Sequence, residues 1–196
     1  MIDSVEKSDE LTYCAGCGED VNTYNITRED VIEKRCSYCG LTIESSVSEE
    51  AKDTIKENEC VMIAEDSELI REMLKDSLIE KKVAKKVVDA VDGYEFISKL
   101  TDRFEKRLPV DLIILDIQMP IMSGINAAVA IRAIENGFIR ENRRVPILFF
   151  SVKQCDETLM KVMKFCSPAQ YVNKSTKDSK NQLFDRVSQV IAQLMR

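Results

Sequence analysis

Residues 112–124 read LIILDIQMPIMSG, four consecutive aliphatic residues followed directly by an aspartate and a turn. An unbroken apolar run of this kind is typical of a strand inside a parallel sheet with both faces covered. Similar runs alternate with segments of helical period from residue 60 onward. The predicted strands are 60–64, 84–88, 112–115, 145–150 and 170–172. This order predicts an α/β fold with a doubly wound, five-stranded parallel sheet in five βα units.

Two of the intervening segments carry clear amphipathic stripes. The first comprises Leu69, Ile70, Met73, Leu74 and Leu78, and the second comprises Leu183, Phe184, Val187, Val190, Ile191 and Leu194. Their spacing matches one face of an α-helix, so we interpret both stripes as core-facing surfaces rather than as sites.

Composition limits the classes of protein that need to be considered. The 196 residues are 44% apolar and 32% charged, which is typical of a globular protein. The first ten residues are acidic, and the apolar run at 145–150 is too short to cross a bilayer, so we expect a cytoplasmic protein without a membrane segment. The chain has no histidine, which excludes a Ser-His-Asp triad, a zinc site with histidine ligands, and a phosphohistidine of its own.

Charge divides the chain into two unequal parts. Residues 1–56 contain 13 acidic and 6 basic side chains, a net charge of −7, whereas the remainder carries +1. The polar stretch that follows residue 46 is typical of a connector. We therefore predict a small module at 1–46, a linker at 47–57 and a larger domain at 58–196.

The predicted strands end in residues suited to binding a cation and a phosphate. Glu65 and Asp66 follow the first run, Asp116 the third, Ser151 the fourth, and Lys174 comes shortly after the fifth. Ligands of open parallel sheets bind beyond the carboxyl ends of the strands, where these side chains would meet. Three carboxylates in one crevice repel one another, and Mg²⁺ is the cation that best offsets them while leaving coordination sites for phosphate oxygens.

In this order and spacing, these residues resemble the CheY-like receiver domain of response regulators, and the resemblance covers about residues 58–196. It implies a flavodoxin-like fold in a two-component phosphorelay protein. It also implies that Asp116 is the phosphoacceptor, and that Glu65 and Asp66, with Asp116 and the backbone carbonyl of Gln118, hold Mg²⁺.

The resemblance assigns the remaining roles too. Lys174 would contact the phosphoryl group, Ser151 would move towards it, and Tyr171 would turn as the switch aromatic, although a tyrosine near a strand end is often simply half-buried packing. The phosphoryl donor would be a sensor histidine kinase or phosphotransfer protein, or a small acyl phosphate. A downstream protein partner would read the face at 156–195. The chain itself would be a phosphoacceptor rather than an enzyme.

Some features depart from the family or suggest other classes. Ser175 follows Lys174 where the family usually has proline, and the segment 135–144 is longer than usual. A phosphatase resembling the haloacid dehalogenase family would also use an aspartyl nucleophile. That family places a second aspartate two residues later, where this chain has Gln118.

The N-terminal module contains two CxxCG units, at Cys14, Cys17 and Gly18 and at Cys36, Cys39 and Gly40. Two such turns bring four thiolates to one point, with glycine taking backbone angles that other residues resist. The module resembles the zinc ribbon family over about residues 11–45, which implies a structural Zn²⁺ site. A redox CxxC, a pair of disulfides, or iron in the same cage are the alternatives.

The module's charge bears on its partner. So small a module buries little core, and we expect zinc binding to provide most of its folding free energy. The charge of −7 on residues 1–56, which include the module, favours a protein partner over nucleic acid. Regulated binding to nucleic acid or to the transcription machinery through the ribbon is the alternative, and the sequence leaves dimerisation open.

Overall fold

A computed structural model of the protein describes residues 4–28, 31–46, 57–138, 144–174 and 178–195. The N-terminal part forms an antiparallel sheet with the strand order β1-β2-β3-β4. Its strands are β1 (Ser4–Cys14), β2 (Glu19–Arg28), β3 (Val31–Cys36) and β4 (Thr42–Ser45). The predicted linker lies almost entirely outside the described residues, so the proposed domain boundaries stay a prediction.

The rest of the chain forms a parallel sheet with the order β6-β5-β7-β8-β9. Its strands are β5 (Val61–Ala64), β6 (Val87–Ala90), β7 (Leu112–Leu115), β8 (Ile147–Ser151) and β9 (Ala169–Asn173). Helices α1 (Glu68–Glu80), α2 (Gly93–Glu105), α3 (Gly124–Phe138), α4 (Glu157–Phe165) and α5 (Lys180–Leu194) connect and cover them. This strand order is that of the flavodoxin-like fold, and the predicted fold class is confirmed. No helix in these described segments is long and apolar enough to span a membrane.

Two strand boundaries were predicted wrongly, each for a local reason. The strand expected at 84–88 begins at Val87, because the amides of Val83 and Ala84 bond to the carbonyl of Leu78 and close the end of α1. The strand expected from Val145 begins at Ile147. Between them stands Pro146, which has no amide hydrogen to give to a strand neighbour.

The two predicted stripes are buried to different extents. In α5, Phe184, Val187, Val190 and Ile191 are buried as expected. In α1, the prediction was wrong for Leu69, which is 71% exposed while Leu74 and Leu78 are buried. Five residues separate Leu69 from Leu74, about 140° around the helix, so the two side chains cannot share one face.

A buried ion pair ties α3 to the neighbouring loops. Arg132 Nη1 lies 2.7 Å from Glu135 Oε2, and both side chains are nearly inaccessible to solvent. The same guanidinium donates to the carbonyls of Val145 and Cys166, at 2.9 Å and 2.6 Å. Glu135 Oε1 in turn accepts the Val145 amide at 2.8 Å. The pair therefore satisfies the backbone at the entry to β8 and the end of α4.

We predict that Arg132→Ala lowers the free energy of unfolding by about 3–5 kcal/mol, because it leaves a buried carboxylate without its counterion. Urea denaturation followed by circular dichroism measures the change. Arg144→Ala is the matched control, since this exposed arginine also donates to backbone carbonyls, and we expect it to cost less than about 1 kcal/mol. Equal losses in the two variants would contradict the assignment.

Candidate functional site

Three carboxylates meet at the carboxyl edge of the parallel sheet. Strands β5 and β7 pair in register, with Ala64 opposite Leu115, so the residues that follow each strand become neighbours. The amide of Asp116 donates to the carbonyl of Ala64 at 2.8 Å, which holds the two strand ends together. One ligand oxygen from each of Glu65, Asp66 and Asp116 lies within 4.8 Å of the others. The predicted acidic trio is therefore assembled.

Lys174, which follows the edge strand β9, completes this cluster. Its amide donates to the carbonyl of Ser151 at 2.8 Å, which continues the β8–β9 ladder and brings the side chain back over the sheet. Its Nζ lies 2.6 Å from Glu65 Oε2 and 3.0 Å from Asp116 Oδ2. Residues more than a hundred positions apart thus share one ion-pair network.

The electrostatics of the cluster suit a divalent cation. Glu65 is only 1% exposed, and burial raises the pKa of its carboxyl, with the charge of Asp116 raising it further and Lys174 opposing both. One ammonium does not neutralise three carboxylates. Asp66 is exposed, so the cluster opens to solvent on one side. An all-oxygen, partly solvated donor set of this kind fits Mg²⁺, which keeps several of its waters when bound.

Ser151, whose carbonyl accepts the amide of Lys174, is linked to Tyr171 by hydrogen bonds through Lys153. Ser151 is fully buried, and its Oγ accepts the amide of Lys153 at 3.2 Å. Tyr171 is also fully buried rather than half-exposed, and its hydroxyl donates to the carbonyl of Lys153 at 2.5 Å. Asn173 Nδ2 donates to the same hydroxyl at 2.8 Å. Lys153 therefore links the serine to the tyrosine, because its amide bonds to one side chain and its carbonyl to the other.

The structure places Gln118 at the exposed start of the turn after β7, where its amide donates to Asp116 Oδ1 at 3.2 Å. This bond orients the aspartate. The predicted contact of the Gln118 carbonyl with a metal stays a prediction. Ser175, and residues 139–143 of the longer segment at 135–144, lie outside the described residues.

Two residues that support the site were missed by sequence reasoning. Gly124 begins α3, and a Cβ there would overlap the carbonyl oxygen of Asp116, so the helix can pack against the aspartate only with glycine. Arg71 is buried in α1, donates from Nη1 to the carbonyl of Glu65 at 2.8 Å, and pairs with Asp89. Gly124 closes the quoted DIQMPIMSG stretch and could have been suspected. An arginine inside an amphipathic helix gives no such signal.

A second cluster lies in the N-terminal sheet, where the four predicted cysteines come together. All four sulfurs lie within 4.8 Å of one another. The turns that follow Cys14 and Cys36 are closed by amides of Gly18 and Gly40, whose φ angles are +77° and +73°. Both glycines therefore adopt the left-handed backbone that the CxxCG pattern predicts.

The sulfur distances distinguish between the kinds of cysteine site. Cys14 and Cys39 are 3.6 Å apart, as are Cys17 and Cys36, far longer than the ~2.05 Å of a disulfide. A tetrahedral zinc site with Zn–S bonds of about 2.3 Å needs sulfurs about 3.8 Å apart. Hydrogen bonds among the thiols, those with Cys14 contributing most, lower the pKa of Cys36 and raise that of Cys39. Such a cluster needs a cation before all four can ionise, and it fits a closed metal site.

Curated relatives match the chain over less than half its length. One is the hybrid signal transduction histidine kinase I of Dictyostelium discoideum, 33% identical over 88 residues, or 45% of this chain and 5% of that protein. Another is a protein-glutamate methylesterase/protein-glutamine glutaminase of a Nocardioides species, 35% identical over 91 residues, or 46% of this chain and 22% of that protein. The chain thus spans a small part of these relatives, whose whole activities do not transfer to it.

Solved structures agree with the fold of the larger domain. The receiver domain of the histidine kinase CKI1 from Arabidopsis thaliana, complexed with Mg²⁺ and BeF₃⁻, is 23% identical with a TM-score of 0.53, covering 66% of this chain and 90% of that one. The response regulator protein TrrA from Thermotoga maritima, in complex with Mg²⁺ and BeF, is 24% identical with a TM-score of 0.51, covering 69% and 98%. The sequence model of the family described as the response regulator receiver domain matches residues 61–188. More than half of the sequence is thereby matched, and the chain belongs to the response regulator receiver domain family.

Proposed function

We propose that this chain is a two-component response regulator that accepts a phosphoryl group on Asp116 in the presence of Mg²⁺ and acts as a phosphorylation-dependent protein-interaction switch. The observation that carries the proposal is the position of Lys174, whose Nζ lies 3.0 Å from Asp116 Oδ2 inside a cluster of three carboxylates. A carboxylate nucleophile, a metal-binding pair and a phosphate-binding cation are the parts that phosphoryl transfer requires.

The proposed step is an in-line transfer. A carboxylate oxygen of Asp116 forms a bond to phosphorus while the bond from phosphorus to the donor breaks and its electron pair leaves with the donor. The Lys174 ammonium offsets charge on the transferring oxygens, and Glu65 and Asp66, with the carbonyl of Gln118, would hold Mg²⁺. The metal, when bound, supplies further positive charge to those oxygens.

The partners follow from the same chemistry. Since these 196 residues contain no histidine, a phosphohistidine donor lies outside this sequence, and we infer a sensor histidine kinase or phosphotransfer protein. The similarity to a hybrid histidine kinase supports this class of donor. Seven free cysteines support a reducing, cytoplasmic location.

The response to phosphorylation would begin at Ser151. New acceptor oxygens on Asp116 can draw the serine hydroxyl, and Lys153 transmits this movement because it contacts both Ser151 Oγ and the hydroxyl of Tyr171. Helix α4 begins a few residues later. The face formed by α4, β9 and α5 would therefore differ between two states and be read by a downstream protein.

We predict that the full chain, incubated with acetyl phosphate and Mg²⁺, gains the mass of one phosphoryl group and that Asp116→Asn does not. The amide keeps the shape of the side chain but is not a nucleophile. Asp76→Asn, an exposed carboxylate on α1, is the matched control and should be labelled like wild type. The proposal would be refuted if the wild-type protein gained no mass with Mg²⁺, that is, if its mass were the same with Mg²⁺ as with EDTA.

We also predict that Lys174→Met slows phosphorylation by about 10²-fold, the usual cost of removing one donor that stabilises transition-state charge. Initial rates by intact mass, with Lys161→Met as an exposed control, measure the effect. Because the change unpairs the buried Glu65, circular dichroism must show a folded variant, and Lys174→Arg should recover part of the rate. Rates equal to wild type in a folded Lys174→Met protein would remove the lysine from the mechanism.

For the N-terminal module, we propose that Cys14, Cys17, Cys36 and Cys39 bind one structural Zn²⁺, forming a zinc ribbon. The 3.6 Å sulfur separations support a closed tetrahedral cage. We predict about one zinc per chain by elemental analysis, and loss of that zinc in Cys17→Ser but not in Cys60→Ala. A chelator should unfold residues 4–46, because metal binding supplies most of their folding free energy. Iron in place of zinc would correct the metal, and retention of zinc by Cys17→Ser would contradict the cage.

We propose that the ribbon binds a protein partner rather than nucleic acid. Its acidic sequence repels a phosphate backbone, and a four-thiolate cage around a divalent ion adds further negative charge. We therefore do not assign nucleic-acid binding to this module.

A further inference from the structure

The first cysteine knuckle, residues 14–18, rests directly on the receiver domain. The carbonyl of Gly16 accepts the amide of Asn173 at 2.7 Å. Strand β9 is an edge strand of the parallel sheet, so this amide points away from β8 and would otherwise face outward. The knuckle therefore extends the hydrogen bonding of the sheet at its edge.

A buried arginine fixes the knuckle in this position. Arg186 of α5 is 4% exposed, although it lies within a helix whose other buried residues are apolar. Its Nε donates to the carbonyl of Ala15 at 2.8 Å and its Nη2 to that of Gly16 at 3.1 Å, while Nη1 pairs with Asp178. Because the guanidinium is rigid and planar, its two bonds to neighbouring carbonyls fix the orientation of the turn.

The two glycines of the knuckle permit this close approach. A Cβ at Gly16 would lie 2.9 Å from the carbonyl oxygen of Tyr171, and a Cβ at Gly18 would lie 2.5 Å from Cζ of Arg186. A side chain at position 16 would push the knuckle away from the main chain of β9, and one at position 18 would displace the Arg186 guanidinium from its place. The two glycines therefore let the knuckle lie close against the receiver.

The contact is continuous with the phosphoacceptor site. Asn173, which binds the knuckle, immediately precedes Lys174, whose Nζ reaches Glu65 and Asp116. The side chain of Asn173 donates to the hydroxyl of Tyr171, which donates to Lys153, whose amide donates to Ser151. One chain of hydrogen bonds therefore runs from Ser151 to the residue that holds Gly16.

We propose that the first cysteine knuckle is a cap on the edge of β9 that couples metal binding by the four cysteines to phosphorylation of Asp116, with Arg186 as the positioning residue. This inference rests on the proposed function. When the four cysteines bind their metal, the knuckle is held in one conformation. The knuckle then fixes the end of β9, and β9 holds Lys174 at the position that the transferring phosphoryl group requires. The coupling also has an equilibrium form: a phosphorylated state that holds Lys174 and the end of β9 in this position binds the cysteine metal more tightly, by the same factor as the metal favours that state.

The first test measures the contact itself in the full, zinc-loaded chain. Hydrogen exchange read by mass spectrometry should show a protected Asn173 amide in wild type and in Arg144→Ala, an exposed arginine remote from the knuckle. Arg186→Ala should lose that protection, as should wild type treated with a chelator. Peptides that cover β7 should stay unchanged in every sample and report an intact fold.

The second test measures the coupling. With acetyl phosphate and Mg²⁺, Arg186→Ala and zinc-stripped wild type should both be phosphorylated more slowly, by as much as about 10²-fold, the rate that a 1 Å misplacement of a reacting group can cost. A chromophoric chelator should remove zinc more readily from Arg186→Ala than from Arg144→Ala. The same chelator should remove zinc more slowly from wild type incubated with Mg²⁺ and beryllofluoride, which stands in for the phosphoryl group, than from untreated wild type. Asp178→Asn, which loosens Arg186 without removing it, should give intermediate values and replaces Arg186→Ala if that variant does not fold.

The outcomes separate this inference from the proposed function. A wild-type chain that takes no phosphoryl group refutes the function, while hydrogen exchange still reports whether the knuckle is docked. Retained protection of Asn173 in a folded Arg186→Ala protein overturns the cap. Lost protection with an unchanged phosphorylation rate and unchanged zinc affinity overturns the coupling.

Discussion

Mutual repulsion among the carboxylates of Glu65, Asp66 and Asp116 is the constraint around which the receiver site is organised. The sheet forces them together, because the strands that they follow pair in register. Burial makes the repulsion costly for Glu65, which water cannot reach. Lys174 offsets part of this charge, and the remainder makes the site receptive to a divalent cation. The same features that would destabilise an ordinary strand edge therefore suit the proposed binding of a metal and a phosphoryl group.

The fold holds these groups with contacts that lie outside the cluster. Arg71 binds the carbonyl of Glu65, and the helix that starts at Gly124 packs against the carbonyl of Asp116. Both contacts are to main-chain atoms. They fix the positions of the carboxylates without consuming the oxygens that a metal would need, so the reactive groups stay free while their backbone is rigid.

The sequence predicted the parts of the structure that depend on local pattern. Apolar runs located the parallel strands, and the residues that end them located Glu65, Asp66, Asp116 and Lys174, because strand direction alone brings such residues to one edge. What it could not predict depends on partners distant in the chain. Nothing in the pattern of the last helix indicates that Arg186 is buried, and its partners are the carbonyls of Ala15 and Gly16, far away in the sequence, and Asp178.

The two clusters of this protein pose the same physical problem, and the end of strand β9 is bonded to residues of both sites. Four thiolates, like three carboxylates, cannot stay charged and close together without a cation. Strand β9 bonds towards the carboxylates through the Lys174 amide, which reaches Ser151, and towards the thiolates through the Asn173 amide, which reaches Gly16. Consecutive residues of a strand point their amides in opposite directions, so one edge strand can serve both sites. The first cysteine knuckle is therefore hydrogen-bonded to the receiver's edge strand, and the proposed coupling between the two cation sites rests on this contact.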